Sequence, residues 1–273
     1  MRTFPTVSSY VVALALWTAP HAGAQTPPPA HDTTALAKQT QNPVGDLVSV
    51  PFQFNFNTGG GLSDQTFLNL NIQPVIPIKL SERWNVIART IIPINSLPGP
   101  DATRLSGVGD IQEQLFFTPA KPGRVIWGVG PILSMPTSTS SGTATGTWAA
   151  GPAAVVVKMA GPWVVGGLLS QAWPMSDAND DPETDLFVFQ PFVNFNFGTG
   201  WALTSGPVIT ANWNAPSRQQ WTVPVGLGIS RTTVFAGRPI SLNAQYYYNV
   251  VRPDAAAGQQ LRLVMSFLFP TRK

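Results

Sequence analysis

Apolar and polar side chains alternate through residues 48–57, VSVPFQFNFN. One parity carries only Val and Phe, and the other carries Ser, Pro, Gln and Asn. A period of two residues is the signature of a strand whose two faces meet different surroundings. Segments of this kind, about 10 to 14 residues long, recur to residue 269 without a long helical pattern, and clusters of Gly, Pro, Ser, Asn and Asp separate them. The chain therefore predicts an all-β fold.

Twelve segments follow this pattern, and their connections alternate in length. They lie near residues 46–57, 66–80, 83–95, 107–118, 124–136, 147–159, 163–176, 185–197, 201–214, 218–231, 239–251 and 259–269. Connections after even-numbered segments are mostly tight, whereas those after odd-numbered segments are mostly long and polar, such as SLPGPDATRLS (96–106). Two connections depart from this rule, a long one at 232–238 and a short one at 215–217. Short turns at one rim and longer loops at the other are typical of outer-membrane barrels. We predict a twelve-stranded antiparallel transmembrane β-barrel over residues 46–273, located in the bacterial outer membrane.

The first 45 residues lie outside this barrel. Arg2, an apolar run and an A-x-A pattern ending at Ala24 predict a signal peptide over residues 1–24. Residues 25–45 predict a periplasmic tail, in which TTALAKQT allows a short helix that ends before Pro43. The chain has no cysteine, which excludes disulfides and thiolate metal sites.

Charge and tryptophan indicate that the apolar face meets lipid. Charged residues make up 11% of the chain, against about 25% in soluble domains. The alternative, a secreted β-sandwich, would ordinarily carry Lys and Glu on its edges against aggregation. Eight tryptophans lie toward segment ends, and indole rings favour the membrane–water boundary. We predict two girdles in contact with outer-membrane lipid and lipopolysaccharide: Trp84, Trp127, Trp163 and Trp201 at the rim of short turns, and Trp148, Trp173, Trp213 and Trp221 at the rim of long loops.

Polar side chains dominate the opposite parity and predict a water-facing interior. The lumen-lining candidates for transport are Asn55, Asn69, Asn71, Gln73, Arg89, Asp110, Gln112, Gln190, Asn194, Asn243, Gln245 and Arg262. The charges of Arg89, Asp110 and Arg262 either set an ion preference, as charged side chains do in channels, or brace the wall as an ion pair. Glu113 falls on the apolar parity, and a β-bulge that shifts the register would remove this conflict.

Catalytic and metal-binding patterns are weak. A hydrolase built on a Ser–His pair needs an imidazole, but the only histidines are His21 and His31, outside the barrel segments. The acidic run at 177–185 offers oxygen ligands, yet Pro182 and Val188 occupy the positions where an EF-hand loop requires Gly and Glu. A formal net charge of +3 without a dense basic run argues against nucleic acid. We expect no enzyme, metal site, cofactor or nucleic-acid partner.

Several stretches together resemble the outer-membrane barrels of the "MetA-pathway of phenol degradation" family, also labelled "transporter" or, misleadingly, "neuromedin U". They are LAKQTQNPVGDLVSVPFQFNFN (36–57), GVGDIQEQLFFTP (107–119), WGVGPILSMPT (127–137), TWAAGPAAVVVKMAGPW (147–163), FQPFVNFN (189–196), QWTVPVGLGIS (220–230) and FLFP (267–270). The resemblance implies an exported barrel with a role in the passage of small molecules, of a kind common in organisms with aromatic or hydrocarbon catabolism. It supplies no substrate and no binding residues. One departure is that Thr271-Arg272-Lys273 follow Pro270, whereas barrel-assembly signals usually end on an aromatic residue.

For a barrel, these observations lead to two functional hypotheses, whereas the alternative β-sandwich would be a secreted soluble binding protein. The first is passive transport of small-molecule solutes, aromatic or hydrophobic compounds among them, through a passage that a twelve-stranded barrel would keep narrow. The second is a structural or adhesion barrel whose lumen is plugged by the tail or by inward Arg and Tyr side chains. Either barrel would need the outer-membrane assembly machinery as a partner.

Overall fold

The computed structural model describes residues 33–60, 65–99, 103–140, 142–175 and 185–269. Its elements are α1 (Thr33–Thr40), β1 (Val48–Thr58), β2 (Phe67–Ile72), β3 (Val75–Lys79), β4 (Trp84–Pro98), β5 (Arg104–Val108), β6 (Ile111–Pro119), β7 (Val125–Met135), β8 (Ala149–Ala160), β9 (Trp163–Pro174), β10 (Leu186–Gly198), β11 (Trp201–Ser205), β12 (Ile209–Asn212), β13 (Trp221–Phe235), β14 (Arg238–Val251) and β15 (Gln259–Phe269). The predicted signal peptide and most of the acidic run fall outside the described residues. Within them, no helix has both the length and the apolar character to cross a membrane.

The fifteen strands form one closed antiparallel barrel of twelve. The two numbers differ because three of the twelve barrel strands are each interrupted and so count as two elements. β2 with β3, β5 with β6, and β11 with β12 each run in succession along the same neighbouring strand. Pro74, Gly109 and Gly206 stand at the three interruptions, where proline lacks a ladder donor and glycine weakens a strand. Pairing of β1 with β15, from Val48 opposite Phe269 onward, closes the barrel. The predicted fold class is confirmed.

The two rims differ as the sequence predicts. At the short-turn rim the connections are 80–83, 120–124, 161–162, 199–200 and 236–237; at the long-loop rim they are 59–66, 99–103, 136–148, 175–185, 213–220 and 252–258. The two predicted exceptions to this alternation are absent, because the connection near 215–217 extends over 213–220 and the one predicted at 232–238 is short. β13 and β14 pair as far as Phe235 opposite Arg238, which leaves a turn of Ala236 and Gly237 at positive φ. The long loop predicted at 96–106 is wrong in extent, because β4 and β5 pair as far as Pro98 opposite Arg104.

The two faces of the wall have opposite exposures. Aliphatic side chains of the apolar parity lie on the outer surface, where Val225 is 58% and Leu227 is 66% exposed. Side chains of the other parity, such as Phe116 and Val157, are fully buried inside the barrel. A soluble sandwich would bury the apolar parity in its core, so this alternative is wrong.

Glu113 lies on the outer face, and the bulge hypothesis for it is wrong. The register of β6 is regular against both neighbours around this position, with Glu113 opposite Thr90 on β4 and Leu133 on β7. The Thr90 hydroxyl donates a hydrogen bond of 2.6 Å to Oε2 of Glu113. Local hydrogen bonding, and not a register shift, therefore accommodates the carboxylate beside apolar neighbours.

Candidate transport lumen

The interior of the barrel has a polar half and an apolar half. In the polar half, Asn55, Asn69, Asn71, Asn243, Gln245 and Arg262 face inward from β1, β2, β14 and β15, whereas the predicted amides Gln112, Gln190 and Asn194 lie on β6 and β10. β4 and β6 to β9 contribute one buried apolar cluster, which includes Ile87, Phe116, Ile132, Val155, Val157, Val164 and Leu168. A molecule inside the barrel therefore meets hydrogen-bonding groups on one side and hydrocarbon on the other.

An amide network fills much of the polar half. The Asn55 side chain donates to Oδ1 of Asn69 at 2.8 Å, and Asn69 donates to Asn71 at 3.0 Å and to Asn95 at 2.8 Å. Asn95 in turn donates to the carbonyl of Thr143 at 2.8 Å. Asn55 is only 4% exposed, so this part of the predicted lumen surface is packed with side chains and not lined by open water.

Arg262 is anchored in this network by most of its donors. Its Nε donates to Asn55 at 3.2 Å, its Nη1 to the Gly206 carbonyl at 2.8 Å, and its Nη2 to Gln260 at 2.9 Å. The Tyr247 ring lies under the guanidinium, with 4.8 Å from Cζ to the ring centroid. These contacts hold Arg262 as a fixed positive charge within the wall.

Arg89 has fewer partners. Its Nη1 donates to Oε1 of Gln114 and its Nη2 to Oε1 of Gln73, both at 2.8 Å. In the part of the chain that the structure describes, no carboxylate pairs with Arg89 or Arg262. The ion pair considered for these arginines and Asp110 is therefore not formed.

Asp110 holds an inward-folded loop. Its carboxylate accepts hydrogen bonds from the Ser138 amide at 3.2 Å, the Thr145 hydroxyl at 3.0 Å and the Gly146 amide at 2.8 Å. The loop at 136–148 thereby brings Thr143, 4% exposed, against Asn95 inside the barrel. Asp110 acts as a loop anchor, and its charge is satisfied by local donors.

Four cavities follow one another along the interior. The rim cavity, about 430 Å³, lies between the tail and the wall near Asn85 and Thr118. The tail cavity, about 240 Å³, shares Gln39, Asn42 and Leu47 with it. The central cavity, about 220 Å³, shares five lining residues with the tail cavity, Gln53, Gln73, Arg89, Leu168 and Gln190. The outer cavity, about 210 Å³, shares Pro93 and Gln112 with the central cavity.

Most of the predicted lumen candidates line these cavities. The tail cavity is bordered by Gln73, Arg89, Gln190, Asn194, Asn243, Gln245 and Arg262. The central cavity is bordered by Asn71, Gln73, Arg89, Gln112 and Gln190, and the outer cavity by Asp110 and Gln112. Asn55 and Asn69 border none of the four cavities. Their amides instead support the residues that do.

The N-terminal segment 33–47 lies across the short-turn rim. α1 places Lys38 next to the turn at Gly161, whose carbonyl accepts a 2.8 Å hydrogen bond from Nζ. Gln41 and Asn196 exchange two amide hydrogen bonds, of 3.1 and 3.0 Å. Three apolar side chains hold the segment further inside: Leu36 and Leu47 pack with Leu268, and Val44 joins the apolar cluster.

The predicted girdle tryptophans all lie on the outer surface or its edge. Seven are 37–49% exposed, and Trp201 is half-buried beneath Arg231, whose Cζ lies 4.9 Å from its ring centroid. Rings contact one another within each rim: Trp84 meets Trp127 at 5.9 Å, and Trp213 meets Trp221 at 5.5 Å, between centroids. The rings are thus arranged as two separate belts.

Sequence reasoning missed the apolar half of the interior. Its signal is visible in AAGPAAVVVK (149–158), which is apolar at both parities, as expected of a strand buried on both faces. Sequence reasoning predicted the long connection between β7 and β8 but missed that this loop folds inward and that Asp110 anchors it. No local pattern indicates that Thr143 returns to the wall, because its partners Asn95 and Val108 are distant in sequence.

Solved structures similar to this chain are outer-membrane proteins. The COG4313 outer membrane channel from Pseudomonas putida F1 is 16% identical, with 82% of this chain and 94% of that chain covered and a TM-score of 0.60. The NanC porin is 10% identical, with 82% and 100% covered and a TM-score of 0.50. The chain has the fold of an outer-membrane β-barrel. The Salmonella typhi outer membrane phospholipase dimer with bound calcium, 14% identical over 88% and 98%, has a TM-score of 0.47, too low to carry a conclusion. No protein-family model and no curated protein matches the sequence.

Proposed function

We propose that this protein is an outer-membrane channel for passive diffusion of small molecules. The observation that carries the proposal is the series of four cavities between the two rims of a closed barrel, each sharing lining residues with the next. An exposed aliphatic band between tryptophan belts is what a lipid-facing wall requires. The printed descriptions of two structures with this fold, a channel and a porin, support the same function.

Small anions and weakly polar solutes fit the interior best. Arg89 and Arg262 place two uncompensated positive charges along the passage, while Asp110 is occupied by its loop. Fixed charges of one sign attract counter-ions and repel ions of like charge. The apolar half of the interior adds a surface along which the hydrocarbon or aromatic part of a solute can move while it stays in van der Waals contact with the wall.

The family assignment remains part of this proposal. The quoted stretches that resemble the MetA-pathway barrels include residues of the tail, of β6 and of β10, and the fold agrees with that resemblance. Catalysis by a Ser–His pair is disfavoured because the sequence has no histidine after His31. Lipopolysaccharide and the assembly machinery stay predicted partners.

A specific observation favours a second candidate, the plugged barrel. Segment 33–47 covers part of the short-turn rim, and its contacts are those of a docked element rather than a loose tail. A channel that is closed while segment 33–47 is docked, and that opens when the segment undocks, would be consistent with both candidates.

Liposome swelling with purified full-length protein distinguishes the candidates. A channel whose cavities enclose about 210 to 430 Å³ each should admit small solutes such as glycine and acetate and exclude disaccharides. Swelling absent for every solute, with a barrel that shows heat-modifiable migration in gels, would refute transport and support the plug.

A further inference from the structure

The central cavity has two chemically different sides. Leu168 on β9, Val188 on β10 and Val208 next to β12 supply hydrocarbon on one side, while Arg89 on β4 and the Gln53 and Asn71 amides on β1 and β2 supply hydrogen-bonding groups across the barrel from them. Arg89 is the cationic residue that borders this cavity, and it also borders the tail cavity. The cavity thus combines one positive charge with an apolar wall at the junction of two compartments.

Arg89 has donors left for a solute, in contrast to Arg262. A guanidinium offers five N–H groups, and the partners of Arg89 are one oxygen each of Gln73 and Gln114. Arg262 uses donors on all three of its nitrogens and stacks on Tyr247. Arg89 is therefore the positive group that still has N–H donors for a bound ligand.

We infer that the central cavity binds a small organic monoanion with an apolar body, an aryl or short-chain alkyl carboxylate, during its passage; this inference rests on the proposed channel function. The carboxylate meets the planar donors of Arg89, the geometry for which guanidinium is suited. The hydrocarbon part lies on Leu168 and Val188. One guanidinium matches one negative charge, and a dianion such as phosphate would leave a charge unpaired.

The size of the cavity limits the ligand to about one ring. Pockets for drug-sized ligands enclose about 300–1,000 Å³, whereas the central cavity encloses about 220 Å³. Benzoate is therefore the probe of choice. Acetate is its matched control without the ring, and benzyl alcohol is its matched control without the charge.

The test measures block of the potassium chloride current through full-length protein in planar bilayers. We expect benzoate to block at a concentration at least tenfold below that of acetate, and benzyl alcohol to block weakly. Arg89→Gln should remove block by both anions. Leu168→Asn should bring benzoate to the level of acetate and leave acetate unchanged. Arg104→Gln is the control, since Arg104 is exposed and contacts Ser96 and the Thr66 carbonyl at the long-loop rim.

The outcomes separate this inference from the channel function. Equal block by benzoate and acetate, or block that survives Arg89→Gln, would overturn the inference while the current shows that the channel stands. If no current flows, the channel proposal fails, and calorimetry with benzoate on the detergent-purified protein decides the binding site. Benzoate binding that Arg89→Gln or Leu168→Asn weakens at least tenfold supports the site; no binding, or equal binding by these variants and wild type, overturns it. Heat-modifiable migration of each variant checks its folding.

Discussion

Undocking of segment 33–47 should be controlled by Leu36. This side chain is 6% exposed and packs with Leu47 and Leu268 where the tail meets β15. Replacing a buried leucine by alanine costs about 2–5 kcal/mol, and the low end applies because a site at the rim can partly collapse. A loss of about 2 kcal/mol changes an equilibrium by a factor of about 30, since about 1.4 kcal/mol corresponds to tenfold.

The expected result is a corresponding rise in channel opening. If the docked tail narrows the short-turn rim, Leu36→Ala should increase the ratio of open to closed time about 30-fold while opening remains rare. Single-channel recording in planar bilayers measures this ratio directly. The matched control is Leu263→Ala, because Leu263 lies on the lipid-facing side of β15, where it is 38% exposed and distant from the tail contacts.

Two results would refute this reasoning. An unchanged open-to-closed ratio in Leu36→Ala, with the barrel folded, would mean that the tail does not obstruct the passage. An equal rise in Leu263→Ala would mean that the effect reflects general loosening of β15 and not undocking of the tail.

Three further perturbations test the loop, the wall and the outer face. Asp110→Asn should loosen the 136–148 loop, because it weakens charge-assisted hydrogen bonds of about 1.5–3 kcal/mol each; amide exchange at Gly146 should accelerate, and Asp254→Asn, at an exposed loop, should leave it unchanged. Gly226→Ala should impair assembly, since its Cβ would lie 1.9 Å from the Tyr246 carbonyl oxygen, whereas Gly123→Ala meets nothing within 4 Å; equal yields of heat-modifiable barrel would contradict this. Glu113→Leu should stabilise the barrel against urea in lipid vesicles by about 1 kcal/mol, since a charge on the lipid face is costly. Glu113→Gln, which keeps a partner for Thr90, is its control, and a lower stability of Glu113→Leu would show that the carboxylate has a role on the outer face.

Side-chain alternation made the barrel predictable, and long-range packing limited the rest. The period of two in VSVPFQFNFN is a local property, so the faces of β1 follow from sequence once the lipid side is identified. Strand ends were less predictable, because β13 and β14 extend their pairing to Phe235 and Arg238 only when the two strands meet. The residue types at 232–238 alone predict a longer turn there.

The sequence predicted which polar residues face the interior, but not which contacts each of them makes there. Inward parity identified Arg89 and Asp110 equally, yet Arg89 borders two cavities while Asp110 is occupied by a loop 28 to 36 residues away. The docked tail depends on Leu36 meeting Leu268 at the other end of the chain. Such contacts are fixed by closure of the barrel, which no local pattern encodes.

The central claim, that the cavities form a passage with positive fixed charge, is tested most directly by the reversal potential of the full-length protein in a potassium chloride gradient. We predict small discrete conductance steps and a reversal potential of the sign that chloride permeation gives, because Arg89 and Arg262 lack carboxylate partners within the described residues. A folded barrel with no conductance steps, or with a reversal potential of the sign that potassium permeation gives, would contradict the account.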